Sequence, residues 1–288
     1  MKISTFTTAT NPELRNDPYL EAIKCYESFS DEVITVGSNW PVEFTFSDIG
    51  KFFQEGFDKS TGDWVFRMDV DYFFHEDSIG ILKNSLKKFS NYPAVAFPQY
   101  QFFTPDRYQI KTRLCVALNK KRFPNILLNG GGDLCLPTLN GVVLDHLTVP
   151  SVNIPIFQYD SIFRTKEIIA NDRARFARAW FREFNNFGDR GGSEPEIAYE
   201  KWFETIKNKY PFHTHKINID KHPIFIKDKL KNLQIEQFGF SAFGLQDNIQ
   251  YPLKNYLKGY KEKYYNSLYL KLQRNSKFLQ DGSQKYQH

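Results

Sequence analysis

Asp69 and Asp71, one residue apart, close the apolar run Trp64-Val65-Phe66-Arg67-Met68. An ionised carboxylate in a low-dielectric strand end is costly unless it is paired, hydrogen-bonded or bound to a cation. Extended-chain alternation predicts that both side chains share one side, where two carboxylates can face a single hard ion. Mg²⁺ or Mn²⁺ suits such a pair, because it takes oxygen ligands and completes its shell with substrate phosphates. The plainer possibility is that the pair only caps the following turn or helix. A phosphatase motif would follow the first strand and carry a Thr or Val two residues beyond its second Asp, whereas about three strands come first here and Tyr72-Phe73-Phe74 follows. An EF-hand loop would need an oxygen ligand where Phe73 stands.

The elements that must position this pair are legible as alternating periodicities. Residues 3 to 9 read as a strand, Pro18 to Phe29 as a helix with Asp17 at its N-cap, and Glu32 to Val36 as a strand stopped by Gly37-Ser38-Asn39. A short strand at 42 to 46, a helix from Asp48 to Ser60 and the strand 64 to 69 follow. Next come a helix at 76 to 89, a strand at Ala94 to Phe97 and a mixed stretch from 99 to 150. After it stand a strand at Ile154 to Phe157 and helices at 165 to 184, 196 to 209 and 252 to 275.

Strands alternating with helices predict an α/β fold around a parallel sheet, whose ligands gather at the carboxyl ends of the strands. There Thr7, Thr8, Asn11, Ser38 and Asn39 are expected to face a nucleobase and ribose, with Lys51 helping from the helix behind. The series Arg173, Arg175, Arg178 and Arg182 reads as a solvated helix face. The expected division is a nucleotide-binding and catalytic domain over 1–190 and a mostly helical extension over 191–288, whose last dozen residues read as disordered.

Composition narrows the partners. The chain has 288 residues and a net charge of +5 without dense Lys/Arg blocks, which fits an anionic small molecule better than a nucleic acid. Its three cysteines form no paired spacing, so neither a disulfide framework nor a zinc site is expected, and a reducing, cytoplasmic setting is. The opening MKISTFTTATN has no apolar signal core, and no run of about 18 apolar residues predicts a membrane span. The 28 Phe and 16 Tyr leave open a surface for a sugar, a partner or a peripheral membrane contact.

Two ordered blocks resemble family 2-like glycosyltransferases with the GT-A fold. The first comprises Thr7 to Asn11, Val36-Gly37-Ser38-Asn39, and Gly62-Asp63-Trp64 running to Asp69-Val70-Asp71. The second is Ile154 to Asp160, then Phe163-Arg164-Thr165-Lys166-Glu167 and an Arg-rich helix. The resemblance covers roughly residues 3 to 185. It implies a GT-A fold with a mostly parallel central sheet flanked by helices and a helical C-terminal extension. It further implies a metal-dependent, inverting transfer of a sugar from a nucleoside-diphosphate sugar to a glycan or glycolipid-type acceptor.

Within that resemblance Asp69 and Asp71 bind Mn²⁺ or Mg²⁺, and Gln158 stands where many relatives carry a metal-binding His. Arg164 and Lys166 balance the leaving diphosphate. The base that takes the acceptor proton is expected at Asp133, behind Gly130-Gly131-Gly132, with Asp160 as second candidate. Asp133 reads equally well as an Asx-type turn residue.

Rival readings are a sugar-1-phosphate nucleotidylyltransferase and a non-catalytic nucleotide- or glycan-binding protein. The first would show a Gly-rich basic signature after the opening strand, where Thr7-Thr8-Ala9-Thr10-Asn11-Pro12 has none; the second gains from Gln158. His213, His215 and His222 are expected on the surface, and His75, near the aspartates, reads equally well as a substrate contact or as a helix cap with Glu76-Asp77. Trp40, Tyr100, Phe102 and Phe103 are expected to be core packing rather than sugar-stacking rings.

Overall fold

A computed structural model describes residues 1–128, 136–233 and 253–275. Its first elements follow the alternating pattern: β1 (Ile3–Thr8), α1 (Tyr19–Phe29), β2 (Glu32–Val36), α2 (Phe46–Lys59) and β3 (Trp64–Arg67). β1 lies between β2 and β3 and runs parallel to both. On β1, Ile3 packs with Ala22 and Phe29 of α1 on one face, and Phe6 with Phe53 and Phe57 of α2 on the other. β3 divides the same way, Trp64 and Phe66 to the first cluster and Val65 to the second. Burial on both faces is why β3 reads as an apolar run, while β1 buries Ser4, Thr5 and Thr7 beside its apolar residues.

Two glycines permit this layering. A Cβ on Gly56 of α2 would lie 2.3 Å from the Phe6 ring, and one on Gly62 would lie 2.5 Å from the Ser4 nitrogen. Gly62 instead donates its N–H to Ser4 Oγ at 2.7 Å, fixing where β3 enters beside β1.

Past β3 the chain reverses repeatedly. β4 (Tyr72–Phe73) and a 3₁₀ turn at Glu76–Ser78 lead to α3 (Ile79–Lys88), then to a long hairpin of β5 (Ala94–Thr104) and β6 (Arg107–Leu118). A small hairpin, β7 (Thr138–Leu139) and β8 (Val142–Val143), precedes β9 (Ile156–Gln158). The strand order is β2-β1-β3-β6-β5-β9-β4, with β6 antiparallel to β3 and β5, β9 parallel to β5, and β4 antiparallel to β9. The sheet is therefore mixed rather than mostly parallel, because a tight connection at Pro105-Asp106 joins β5 to β6 and such a turn yields only an antiparallel pair. α4 (Lys166–Phe184) starts at Thr165, whose Oγ1 accepts the Ile168 N–H at 3.3 Å.

The expected strand at 42 to 46 is a loop. Its carbonyls are satisfied by α4 instead of a ladder: Arg175 donates to Val42 at 2.9 Å and Arg182 to Phe44 at 2.5 Å. Arg178 and Arg182 both grip Glu43, at 2.6 and 2.7 Å, and the Arg178 hydrogen bond foremost draws the Glu43 carboxyl down to about 2. The arginine series is thus a clamp on this loop, not a merely solvated face. α2 starts at Phe46, two residues before the expected Asp48, because the Asp48 carboxylate reaches back to the Thr45 N–H at 2.7 Å.

Residues after 190 are tied to the same body. α5 (Pro195–Lys209) packs on α4, β10 (His215–Lys216) pairs antiparallel with β6, and α6 (Ile224–Lys231) packs on α1. α7 (Leu253–Asn275) lies against the 3₁₀ turn at Tyr210–Phe212. His213, His215 and His222 are buried rather than on the surface, at 1, 5 and 0 % exposure. Phe103 stacks on His213 and Tyr108 on His215, with ring centroids 4.6 and 5.1 Å apart. The Tyr159 hydroxyl and His222 Nδ1 lie 2.7 Å apart.

Candidate functional site

β1 and β3 both point their carboxyl ends at a cleft roofed by α4. Thr8, Ala9 and Thr10 contribute from the end of β1; Asp69, Val70 and Asp71 from the segment after β3; and Gln158 and Asp160 from the end of β9. Trp40, Phe44, Ile49 and Phe53 form an apolar wall, and Arg15, Arg164, Arg173 and Arg175 a basic one.

Asp69 and Asp71 do not extend β3 but form the tight turn joining it to β4, closed by the Tyr72 N–H on the Asp69 carbonyl at 2.8 Å. The buried Tyr26 of α1 donates its hydroxyl to the same carbonyl at 2.6 Å. The Asp71 carbonyl accepts the Tyr159 N–H at 3.0 Å. The β4–β9 ladder, with Tyr72 opposite Gln158, brings the two sequence blocks to one place.

The side chains then sort by charge. Burial pushes the Asp71 carboxyl up to about 8, and the neighbouring carboxylates of Asp69 and Asp160 push in the same direction. Asp160 moves the other way: burial alone would raise it, but Arg173, Lys111 and Arg164 hold it below the ordinary carboxylate range. Its Oδ2 accepts from Gln101 at 3.0 Å, its Oδ1 accepts from Ser161 at 3.1 Å, and the Arg173 guanidinium stands 3.6 Å away.

Beneath them Arg164 bridges Asp17 at 2.7 Å and Asp172 at 3.2 Å, while Arg15 bridges the same two acids at 3.0 and 2.9 Å. This closed network draws the buried Asp172 down to about 2 despite the opposing effect of burial. Asp17 is therefore a partner of arginines and not the N-cap of α1, a position taken by Pro18.

No family profile and no curated protein matches this chain. Among solved structures it is similar to a crystal structure of S. aureus TarS 1-349, with a TM-score of 0.35 and 9 % identity over 95 % of this chain and 91 % of that one. The site stands on its own geometry.

That geometry unites Thr8, Asp69, Asp71, Gln158, Asp160 and Arg164 in the cleft. Thr7 lies buried within β1, and Asn11, Ser38 and Asn39 are exposed in turns outside the cleft lining. Lys51 faces out from α2, 3.3 Å from Asp48. Lys166 is exposed, with its ammonium 5.0 Å from the Tyr199 ring centre, and does not line the cleft. Asp133 and its glycines lie outside the described residues. Trp40 lines the cleft, unlike Phe102 and Phe103, which are core as expected. His75 does cap the 3₁₀ turn, accepting the Asp77 N–H at 3.2 Å.

Gln158 departs from the ligand role that the resemblance implies. Its amide oxygen accepts from Gln99 at 2.7 Å, so its N–H₂ faces Asp71 Oδ2 at 3.4 Å. In this orientation its amide hydrogens rather than its oxygen face Asp71. Among the described residues no group of three His, Cys, Asp or Glu side chains is arranged to enclose a metal.

The sequence reading passed over Arg15, Asp172, Gln99 and Gln101. Asp172 carries a signal in retrospect, since it stands on the α4 face that also buries Ile169 and Ala170. A charge in a buried apolar stripe requires a partner.

Proposed function

We propose that the chain is a metal-dependent glycosyltransferase that takes a sugar from a nucleoside-diphosphate donor in this cleft and passes it to a glycan or lipid-linked acceptor. The observation that carries the reading is Asp71, a carboxyl held near pH 8 by burial and two neighbouring carboxylates at the carboxyl ends of parallel strands. A carboxyl raised by burial and by Asp69 and Asp160, more than Arg164 lowers it, fits a position completed by a cation. With no three-residue cage among the described residues to hold it, a Mg²⁺ or Mn²⁺ ion here would rest on Asp69 and Asp71 and share its remaining sites with diphosphate oxygens. Its chemistry would be to neutralise charge on the departing nucleoside diphosphate.

The chain's own groups supply the rest. The apolar wall of Trp40, Phe44 and Phe53 offers a ring-sized surface to a nucleobase, while Arg173 and Arg175 offer charge to phosphates. Asp160 is ionised, oriented by Gln101 and Ser161, and able to accept the proton of an attacking hydroxyl. Its depressed basicity makes it a weaker base than an unperturbed carboxylate, in keeping with a role that Arg173 tunes.

The test is calorimetric titration of nucleoside diphosphates with and without Mn²⁺, followed by mass spectrometry of products from a panel of nucleotide sugars. Metal-dependent binding and donor turnover, both lost in Asp71→Asn, are expected. Metal-dependent binding with no hydrolysis or transfer for any donor would instead favour the non-catalytic binding protein. No binding with any nucleotide would overturn the reading.

A further inference from the structure

α7 is built inside out. Its inward side is polar or small: Asn255 is 3 % exposed, and a Cβ on Gly259 would fall 2.2 Å from Thr214 Oγ1. Glu262 is partly buried, and Tyr269 meets Arg113 at 4.2 Å and the His146 carbonyl through its hydroxyl. Its outward side is apolar. Leu253, Leu257, Tyr260 and Tyr264 recur at i, i+4, i+7 and i+11, one continuous stripe, and are 74, 60, 70 and 65 % exposed. A helix ordinarily buries such a stripe, and among the described residues nothing covers this one.

Charge decides what would cover it. Lys254 and Lys261 flank the stripe on one side and Lys263 on the other, all exposed, while the acid of the helix, Glu262, faces inward. A second copy docked symmetrically would set these lysines against their own kind with no acids opposite. Another protein would need an acidic rim around an apolar groove. An anionic bilayer offers both at once: headgroup charge for the lysines and an acyl boundary for Leu and Tyr. Tyr suits that boundary because its ring is apolar and its hydroxyl stays wet. No described helix is long and apolar enough to cross a membrane, so the mode is lying on the surface, not spanning.

We propose that the outward face of α7 is a docking surface for anionic lipid membranes, seated through Leu257, Tyr260 and Tyr264 and held by Lys254, Lys261 and Lys263. This rests on α7 alone and stands whether or not the cleft transfers sugar.

The test uses the full chain in sedimentation with vesicles of phosphatidylcholine, alone or with about a third phosphatidylglycerol, where the attraction of three lysines to headgroup charge predicts a preference for the anionic vesicles of about tenfold or more. Lys254→Gln/Lys261→Gln/Lys263→Gln should erase that preference, and so should raising the salt. Leu257→Ser/Tyr260→Ser/Tyr264→Ser should release the protein from both vesicle types. Tyr260→Trp should blue-shift its emission on adding anionic vesicles, locating the contact on this helix. All these side chains are solvent-exposed, so melting curves should match the parent's. Three outcomes would overturn the proposal: no vesicle binding, binding that ignores both triple variants, or a dimer in light scattering that the Leu/Tyr triple variant dissociates.

Discussion

Asp71 and Asp172 share one cleft yet are driven in opposite directions, Asp71 up to about 8 and Asp172 down to about 2. Burial pushes both upward. Asp172 is overruled by Arg15, Arg164, Arg173 and Arg175, whereas Asp71 is reinforced by Asp69 and Asp160. Desolvation alone therefore does not say whether a buried acid builds the scaffold or awaits a ligand; the sign of its neighbours does. Asp172 belongs to a completed structural network, and Asp71 to an incomplete one.

The strongest way to break this contrast is to remove Asp172. Asp172→Ala strands Arg15 and Arg164 without one of their two acids, and should cost about 3–5 kcal/mol of stability in denaturant titration. A loss under about 1 kcal/mol would show the network to be solvated rather than structural.

Asp71→Asn should do the opposite to the metal-free protein, raising its melting temperature at pH 7 by about 3–6 °C, because folding no longer has to bind a proton that the unfolded carboxyl has released. The same variant should lose metal-dependent nucleoside-diphosphate binding. A lower melting temperature with binding intact would end the distinction between the two aspartates.

The pH dependence sharpens it. Asp71 is raised in the fold, so the folded state holds its proton up to about pH 8, and this group subtracts stability as pH climbs from the unfolded carboxyl range toward that value. His213, lowered to about 3, and His215 and His222, each lowered to about 4, chiefly by burial, act in the reverse sense. The unfolded chain binds their protons first, so stability is lost as pH falls below roughly 6.5. Together these give a stability maximum near neutrality, at roughly pH 6.5–7. In Asp71→Asn the decline from there to pH 8 should flatten, as read from melting temperatures across a buffer series. Metal binding at pH 7 should likewise release close to one proton, measured by calorimetry in buffers of differing ionisation enthalpy.

The smallest effects are expected at Lys51 and Lys166, both outside the cleft lining. Lys51→Ala and Lys166→Ala should leave nucleotide affinity within about twofold, since exposed charges this placed are screened. A tenfold loss in either would mean that the donor reaches beyond the cleft described.

What the sequence revealed follows from range. β1, β2, β3, α1 and α2 are set by local periodicity and came out close to their observed bounds, as did α4 from its Thr165 start. The carboxylate pair at Asp69 and Asp71 was legible because charge after an apolar run is conspicuous, but it was read as an extended strand end and is a tight turn. The reversal at β6 was not, because Pro98 inside β5 hides a strand that runs on to Thr104. The pairing of Asp17 and Asp172 with Arg15 and Arg164 joins residues far apart in the chain, and no local spacing encodes it. The buried histidines looked superficial because their partners, Phe103, Tyr108 and Tyr159, also lie far away.

The β4–β9 ladder carries one more consequence, concerning time. Asp71 meets Gln158 across 87 residues of chain, and loop closure on that scale comes late. While the polypeptide emerges, β1, β2 and β3 can form their parallel layer with Asp69 and Asp71 unaccompanied. Only when β9 docks does Asp160 arrive, and with it the crowding that lifts Asp71. An immature chain is thus spared the Asp160 share of that electrostatic conflict until its last central strand is in place.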